Sequence, residues 1–258
     1  MPQTMPQRLY IITGASRGLG HALALELLRP GQRLLTLSRQ PSEALRQRAD
    51  QVGCTLEQWP VDLADARPAS KQLQPWLRAL RAENLASAAL INNAGVIPAI
   101  TPLRNARAAD ISNALRVGLE AAMLLTAAFL HATSSWPAQR RVLNISSGLG
   151  RRPMAAQAPY CAAKAGMDLF TRCVALEEAA QRRGARVCAL APGVIDTGMQ
   201  QQLRGADARL FPDRGYFQEL HDNRNLAQPA AVAQKIAAFL AHPDFGEQPV
   251  ASLHDLPL

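Results

Sequence analysis

The chain has 258 residues, 48% of them hydrophobic and 5% aromatic, with a formal net charge of +8. That length suits one α/β domain with a sizeable buried core. The positive balance comes from 25 arginines and 3 lysines, scattered except for pairs at 140–141, 151–152 and 182–183. With so few aromatics this argues against a nucleic-acid surface and for an Arg-preferring solvated exterior. Residues 1–8 are polar and read as a flexible N-terminal segment without the apolar stretch of a signal peptide.

In chain order, the first apolar run, Leu9–Ile12, leads into Thr13-Gly14-Ala15-Ser16-Arg17-Gly18-Leu19-Gly20 and then a helical pattern through Leu23, Leu27 and Leu28. Strand, glycine-rich turn and helix in that order form a dinucleotide fingerprint. Gly14 allows the tight turn, Gly18 lets the backbone approach a pyrophosphate, and Gly20 permits close helix–strand packing. The free N–H groups and dipole of the helix N-terminus suit phosphate. The second strand, Arg33–Leu37, ends in Ser38-Arg39. NAD-binding chains usually carry a carboxylate there for the ribose 2′-hydroxyl. Its absence, with Arg39 and Arg17 available for a 2′-phosphate, points to NADP(H).

Further strands are expected at Thr55–Pro60, Ala89–Asn92, Arg141–Ile145, Val187–Leu190 and Val250–Leu253. Short apolar strands separated by helical segments predict a single-domain, doubly wound (Rossmann) parallel sheet of about seven strands, helices on both faces, over residues 9–258. The most apolar helix, Ala114–Leu130, contains Arg116 and Glu120 and reads as a buried or interface helix rather than a membrane span. Residues 199–226 lack clean periodicity and carry Gly205, Pro212 and Gly215, as a hinged substrate lid would. Pro229 then opens a helix through Leu240. The four cysteines, Cys54, Cys161, Cys173 and Cys188, form no Cys-x-x-Cys pair and no metal spacing, consistent with reduced thiols in a cytoplasmic protein.

The segment Asn144-Ile145-Ser146-Ser147-Gly148 follows the fifth strand, and Tyr160 and Lys164 follow one helical turn apart. Residues four apart on a helix share a face. With only 3 lysines in the chain, a Lys at that position is a rare event. An ammonium at ~4 Å from a phenol is worth roughly 4 kcal/mol at an effective dielectric of 20, about three pKa units. The expectation is a phenol lowered toward neutrality, with the Ser146 hydroxyl holding a carbonyl oxygen beside it.

These residues, with Asp62, Asn92-Asn93-Ala94-Gly95 and Pro192-Gly193, resemble the short-chain dehydrogenase/reductase family from about Leu9 to the C-terminus. The stretch Ala191–Gln200 and the Ser146 and Tyr160 segments look closest to the sepiapterin reductase and bacterial benzil reductase branch. The resemblance implies catalysis by Ser146, Tyr160 and Lys164. It implies a cofactor site of Gly14, Ser16, Arg17, Gly18, Leu19, Gly20, Ser38, Arg39, Asp62, Leu63, Asn93, Ala94, Gly95, Tyr160, Lys164, Pro192, Gly193, Val194 and Thr197. By position, Leu149, Gly150, Met154, Met199 and Gln200 join Ser146 and Tyr160 against substrate.

The implied activity is NADPH-dependent reduction of a small-molecule ketone, a vicinal dicarbonyl or aromatic ketone, by a homodimer or homotetramer in the cytoplasm. No membrane or nucleic-acid partner is implied. Pterin reductases of the branch anchor their ring with a carboxylate near the C-terminus, where this chain has Ser252 and, three residues on, Asp255, so a pterin is not expected. A second departure is Gly118, where the family commonly carries an Asn that holds a relay water for the Lys. An extra water would keep the enzyme active. The alternative is an NADPH-sensing binding protein with little turnover.

Overall fold

A computed structural model describes residues 7–256. Seven strands, β1 (Gln7–Thr13), β2 (Arg33–Ser38), β3 (Thr55–Pro60), β4 (Leu85–Asn92), β5 (Gln139–Ile145), β6 (Arg186–Ala191) and β7 (Val250–Ser252), form one parallel sheet in the order β3-β2-β1-β4-β5-β6-β7. Strand order reverses between β1 and β4, which opens a crevice at the carboxyl ends of those strands. Gln7 and Arg8 belong to β1, not to the N-terminal segment expected over residues 1–8; residues 1–6 lie outside the described residues.

Both faces of the sheet are apolar because successive side chains alternate between them. Tyr10, Ile12, Ala89, Ile91, Leu143, Cys188 and Leu190 face one layer, made by α1 (Gly18–Leu27), α2 (Glu43–Val52) and α9 (Pro229–Ala241). Leu9, Ile11, Leu90, Val142 and Val187 face the other, made by α3 (Arg67–Arg78), α5 (Ala121–Thr133) and α6 (Ala158–Ala179). Each buried Leu or Ile contributes about 1.5–3 kcal/mol. Pro159 and Pro229 stand in the first turns of α6 and α9, where a missing N–H costs no helical bond.

The helix expected at Ala114–Leu130 is longer and interrupted. It comprises α4 (Ala108–Leu115), a π-turn at Arg116–Glu120, and α5. By length and hydropathy the stretch Ala108–Thr133 would pass for a membrane span, yet Leu125, Ala128 and Phe129 are buried against the sheet. Residues 199–226 are also more ordered than their irregular pattern suggested. α7 (Gly198–Arg204) and α8 (Arg214–Asp222) enclose a third apolar cluster of Ala156, Leu203, Phe211 and Phe217, with Ile97, Ile100 and Met154 against it.

Several arginines are not mere surface charge. In a parallel sheet covered by helices, strand N-termini and helix C-termini share one end of the molecule. There Arg140 donates to the Arg183 carbonyl, Arg141 to the Leu240 and His242 carbonyls, and Arg186 to the Pro243 and Phe245 carbonyls. These cations satisfy carbonyls left over at the ends of α6 and α9 and after them.

Candidate active site

The glycine turn lies at the β1–β4 crevice. Gly14 and Gly18 have φ of +71° and +58°, the left-handed region that glycine enters without strain. A Cβ on Gly20 would fall 2.3 Å from the Asn93 Nδ2 and from the Gly14 carbonyl oxygen, so a side chain there is excluded. The turn is latched from two distant strands. Ser38 Oγ accepts from the Ala15 N–H at 2.9 Å. Thr13 Oγ1 accepts from the Asn93 and Ala94 N–H groups at 2.9 and 3.0 Å, and Asn93 Nδ2 donates to the Thr13 carbonyl at 3.0 Å.

Ser38 is buried and Asn93 is partly buried, and the side chains of both help to shape the turn. Ser16, Arg17 and Arg39 are exposed, and neither arginine makes an ion pair among the described residues. Asp62 is exposed and caps a short helical turn by accepting from the Ala64 N–H, while Leu63 and Leu19 are buried. Gly193, with φ +87°, turns the chain after β6 next to Pro192, and the Val194 carbonyl accepts from the Ala227 N–H. Thr197 Cγ2 lies 3.5 Å from the Cβ position of Gly18. Lys164 Nζ and Met199 Cε each lie 3.8 Å from that of Gly95. The loop after β6 therefore closes over the glycine turn and the lysine. Glycines at the closest approaches of the turn, free N–H groups at the start of α1 and two arginines without ion pairs among the described residues fit a dinucleotide carrying a 2′-phosphate.

Tyr160 and Lys164 lie on one face of α6, with Lys164 Nζ 5.8 Å from the Tyr160 ring centroid. Lys164 is 4% exposed and donates to the Ile145 carbonyl at 2.7 Å. Burial pulls its ammonium down to about 8, against a smaller upward pull from Asp168. Burial likewise raises the Tyr160 phenol, a hydrogen-bonding contact from Ser147 opposing it. That direction is opposite to the lowering expected from the lysine, because burial of the phenol is the largest effect on it.

The serine expectation also needs correction. Ser146 is 3% exposed and its hydroxyl donates to Asp168 Oδ1, away from the phenol. Ser147 is the serine at Tyr160; its Oγ also accepts from the Leu149 N–H at 3.2 Å. Behind the site, Asn92 Nδ2 donates to Thr126 Oγ1 and Asn144 Oδ1, and Asn144 Nδ2 donates to Thr171 Oγ1. This buried chain ties α5, β4, β5 and α6 together and holds the strand ends rigid.

Gly118 is buried in the π-turn, and a Cβ there would stand 3.2 Å from Ala163 Cβ. A side chain at this position would push on α6 between Tyr160 and Lys164. On the substrate side, Met154 packs against the Phe211/Phe217 cluster and Met199 closes on Gly95. Gly150 is sealed against the Lys164 carbonyl, where a Cβ would come within 2.9 Å, and Gln200 is buried in α7. Gly150 is partly exposed all the same, whereas Gln200 offers no open surface. Asp255 is exposed beside His254.

Comparison with known proteins finds relatives over most of the chain. Residues 8–208 match the family model described as short chain dehydrogenase. A Bacillus cereus benzil reductase ((S)-benzoin forming) is 33% identical over 248 residues, covering 96% of this chain and 100% of that one. Sepiapterin reductase of Rattus norvegicus is 34% identical, covering 95% and 96%. A solved structure from Agrobacterium tumefaciens with bound NADP superposes with a TM-score of 0.77 at 25% identity, covering 95% of this chain and 94% of that one.

Proposed function

Because the chain belongs to the short-chain dehydrogenase family, and so to the oxidoreductases of alcohol and carbonyl groups, we propose that it is an NADPH-dependent reductase of vicinal dicarbonyls or aromatic ketones. The observation that carries this reading is Tyr160 with the Ser147 hydroxyl at its phenol and Lys164 Nζ 5.8 Å from its ring centroid. Bound NADPH would supply the hydride. Gly14, Gly18 and the start of α1 would receive its pyrophosphate, Arg17 and Arg39 its 2′-phosphate, Asp62 and Leu63 its adenine, Asn93, Ala94 and Gly95 its adenosine and ribose side, and Lys164, Pro192, Gly193, Val194 and Thr197 its nicotinamide end. Ser147 would hold the substrate oxygen and polarise the carbonyl. Tyr160 would give its proton to that oxygen as negative charge develops. Lys164, as a cation, would stabilise the phenolate left behind.

The apolar, aromatic wall of Phe211, Phe217 and Met154 supports an apolar ketone, and the lid role of residues 199–226 is part of the same proposal. Leu115, Met123, Leu169 and Leu176 are exposed on α4, α5 and α6, which supports pairing of subunits through those helices. The free thiols of Cys54, Cys161, Cys173 and Cys188 support a location in the reducing cytoplasm as part of the same proposal.

A panel of benzil-like diketones and aromatic ketones, run with NADPH and with NADH, tests the reading by loss of reduced-nicotinamide absorbance. Turnover with NADPH favoured is the expected result. Binding of NADPH with no turnover across the panel would instead favour the sensor reading prompted by Gly118. Faster turnover with NADH would remove the argument from Arg17 and Arg39.

A further inference from the structure

Asp168 is a buried acid that the reaction described above does not use. It lies on α6 one turn beyond Lys164 and two beyond Tyr160, and it is 6% exposed. Its Oδ1 accepts from the Ser146 hydroxyl. Its Oδ2 is buried without a hydrogen-bond partner among the described residues, and Arg151 Nε stands 3.7 Å away. The loop before α6 seals the acid in: a Cβ on Gly150 would meet the Lys164 carbonyl oxygen at 2.9 Å and Asp168 Oδ2 at 3.1 Å. A buried carboxylate with an unsatisfied oxygen is costly, so it persists where a nearby cation repays it.

We propose that Asp168, fixed by Ser146, is a positioning residue whose charge keeps the buried Lys164 cationic. This rests on the reading of Lys164 as the cation behind Tyr160. Among the described residues, no other carboxylate stands at Lys164. From β5 the lysine meets only the Ile145 carbonyl. From the turn after β4 it meets Gly95, and from α7 Met199. The π-turn packs Gly118, which carries no side chain, against Ala163 beside the lysine. From its own helix come Tyr160 and Asp168. The Cys188 thiol of β6 is pushed up to about 12 by burial and then by Asp168, and so stays neutral. Arg151, with its side chain 41% exposed, faces Asp168 from the other side and shares its charge. Asp168 also raises Lys164 against the larger effect of burial, the direction the proposal requires. The roles of the two adjacent serines then divide: Ser147 faces the substrate, and Ser146 holds the acid.

The chain's 3 lysines make a direct test possible. Protein labelled with ε-13C lysine gives three side-chain resonances, assigned with Lys71→Arg and Lys235→Arg, and Lys164 is titrated without any turnover. A failed ketone panel would therefore refute the reductase reading while leaving this titration to stand or fall alone. Asp168→Asn keeps the shape and the acceptor for Ser146 but removes the charge. It should move the Lys164 midpoint down by about one pH unit, roughly tenfold less cation at a given alkaline pH. Arg151→Gln frees Asp168 from its competitor and should move the midpoint up. The alkaline limb of kcat/KM for reduction should follow each shift. An unchanged midpoint in Asp168→Asn that is folded by circular dichroism overturns the proposal. If Asp168→Asn does not fold, Arg151→Gln decides: a rise supports the proposal, and no change or a fall overturns it.

Discussion

Ser147→Ala and Ser146→Ala remove the same atom from adjacent residues, and their consequences should differ in kind. Ser147 lies at the Tyr160 phenol, where a substrate oxygen would take its hydrogen bond. Removing a donor aimed at developing negative charge costs about 10²–10³-fold, or roughly 2.7–4 kcal/mol of transition-state stabilisation. Ser147 is partly exposed, and its other contact is one bond to the Leu149 N–H, so the folded state should lose little. Ser146 is 3% exposed and donates to a carboxylate that is itself buried. Its removal leaves an oxygen of Asp168 without a donor, at a cost of about 1–3 kcal/mol. For a chain of this size each kcal/mol corresponds to about 2–4 °C in Tm. Ser146→Ala should therefore melt several degrees lower while kcat/KM at neutral pH stays within about tenfold, 1.4 kcal/mol, of the parent. The assay is kcat/KM for a reactive diketone beside thermal unfolding, both variants in one buffer. The reverse pattern, with Ser146→Ala losing the rate and Ser147→Ala the stability, would refute the assignment.

Tyr160→Phe should lower kcat/KM by about 10²–10⁴-fold while NADPH binding, followed by fluorescence, is retained, since only the proton donor is lost. Arg39→Ala should weaken NADPH by about 10–100-fold, as charge-assisted bonds worth roughly 1.5–3 kcal/mol disappear, and should leave NADH unchanged. Equal losses for both cofactors would place the 2′-phosphate elsewhere. Leu169→Glu with Leu176→Glu puts charge on side chains that are 63% and 75% exposed on α6. Light scattering should then show a smaller assembly than the parent, and an unchanged mass would exclude this face from subunit pairing.

Much of the fold was legible because its signals are local. Strand, glycine turn and helix lie within about twenty residues, and β3 runs over Thr55–Pro60 as its residues suggest. β4 begins at Leu85, earlier than the expected Ala89, since Leu85–Ala88 mixes a small polar residue into the run. The π-turn at Arg116–Glu120 was not legible, as one extra residue per turn barely disturbs an already apolar helical pattern. The bonds that latch the glycine turn were not legible either, since Ser38 and Asn93 meet Ala15 and Thr13, which lie 23 and 80 residues away.

Fold class, the cofactor turn and the pairing of Tyr160 with Lys164 follow from the order of residues alone, because each depends on neighbours within one strand–turn–helix unit or one helical turn. Which of two adjacent serines meets the phenol does not. β5 ends at Ile145, strand alternation ends with it, and the direction of Ser146 and Ser147 is set by α6 packing across the strand end, with Asp168 waiting for one of them. The charge on Lys164 is decided the same way. A helix brings an ammonium to a phenol, but only the depth of burial and the acid beside it determine whether that ammonium keeps its proton.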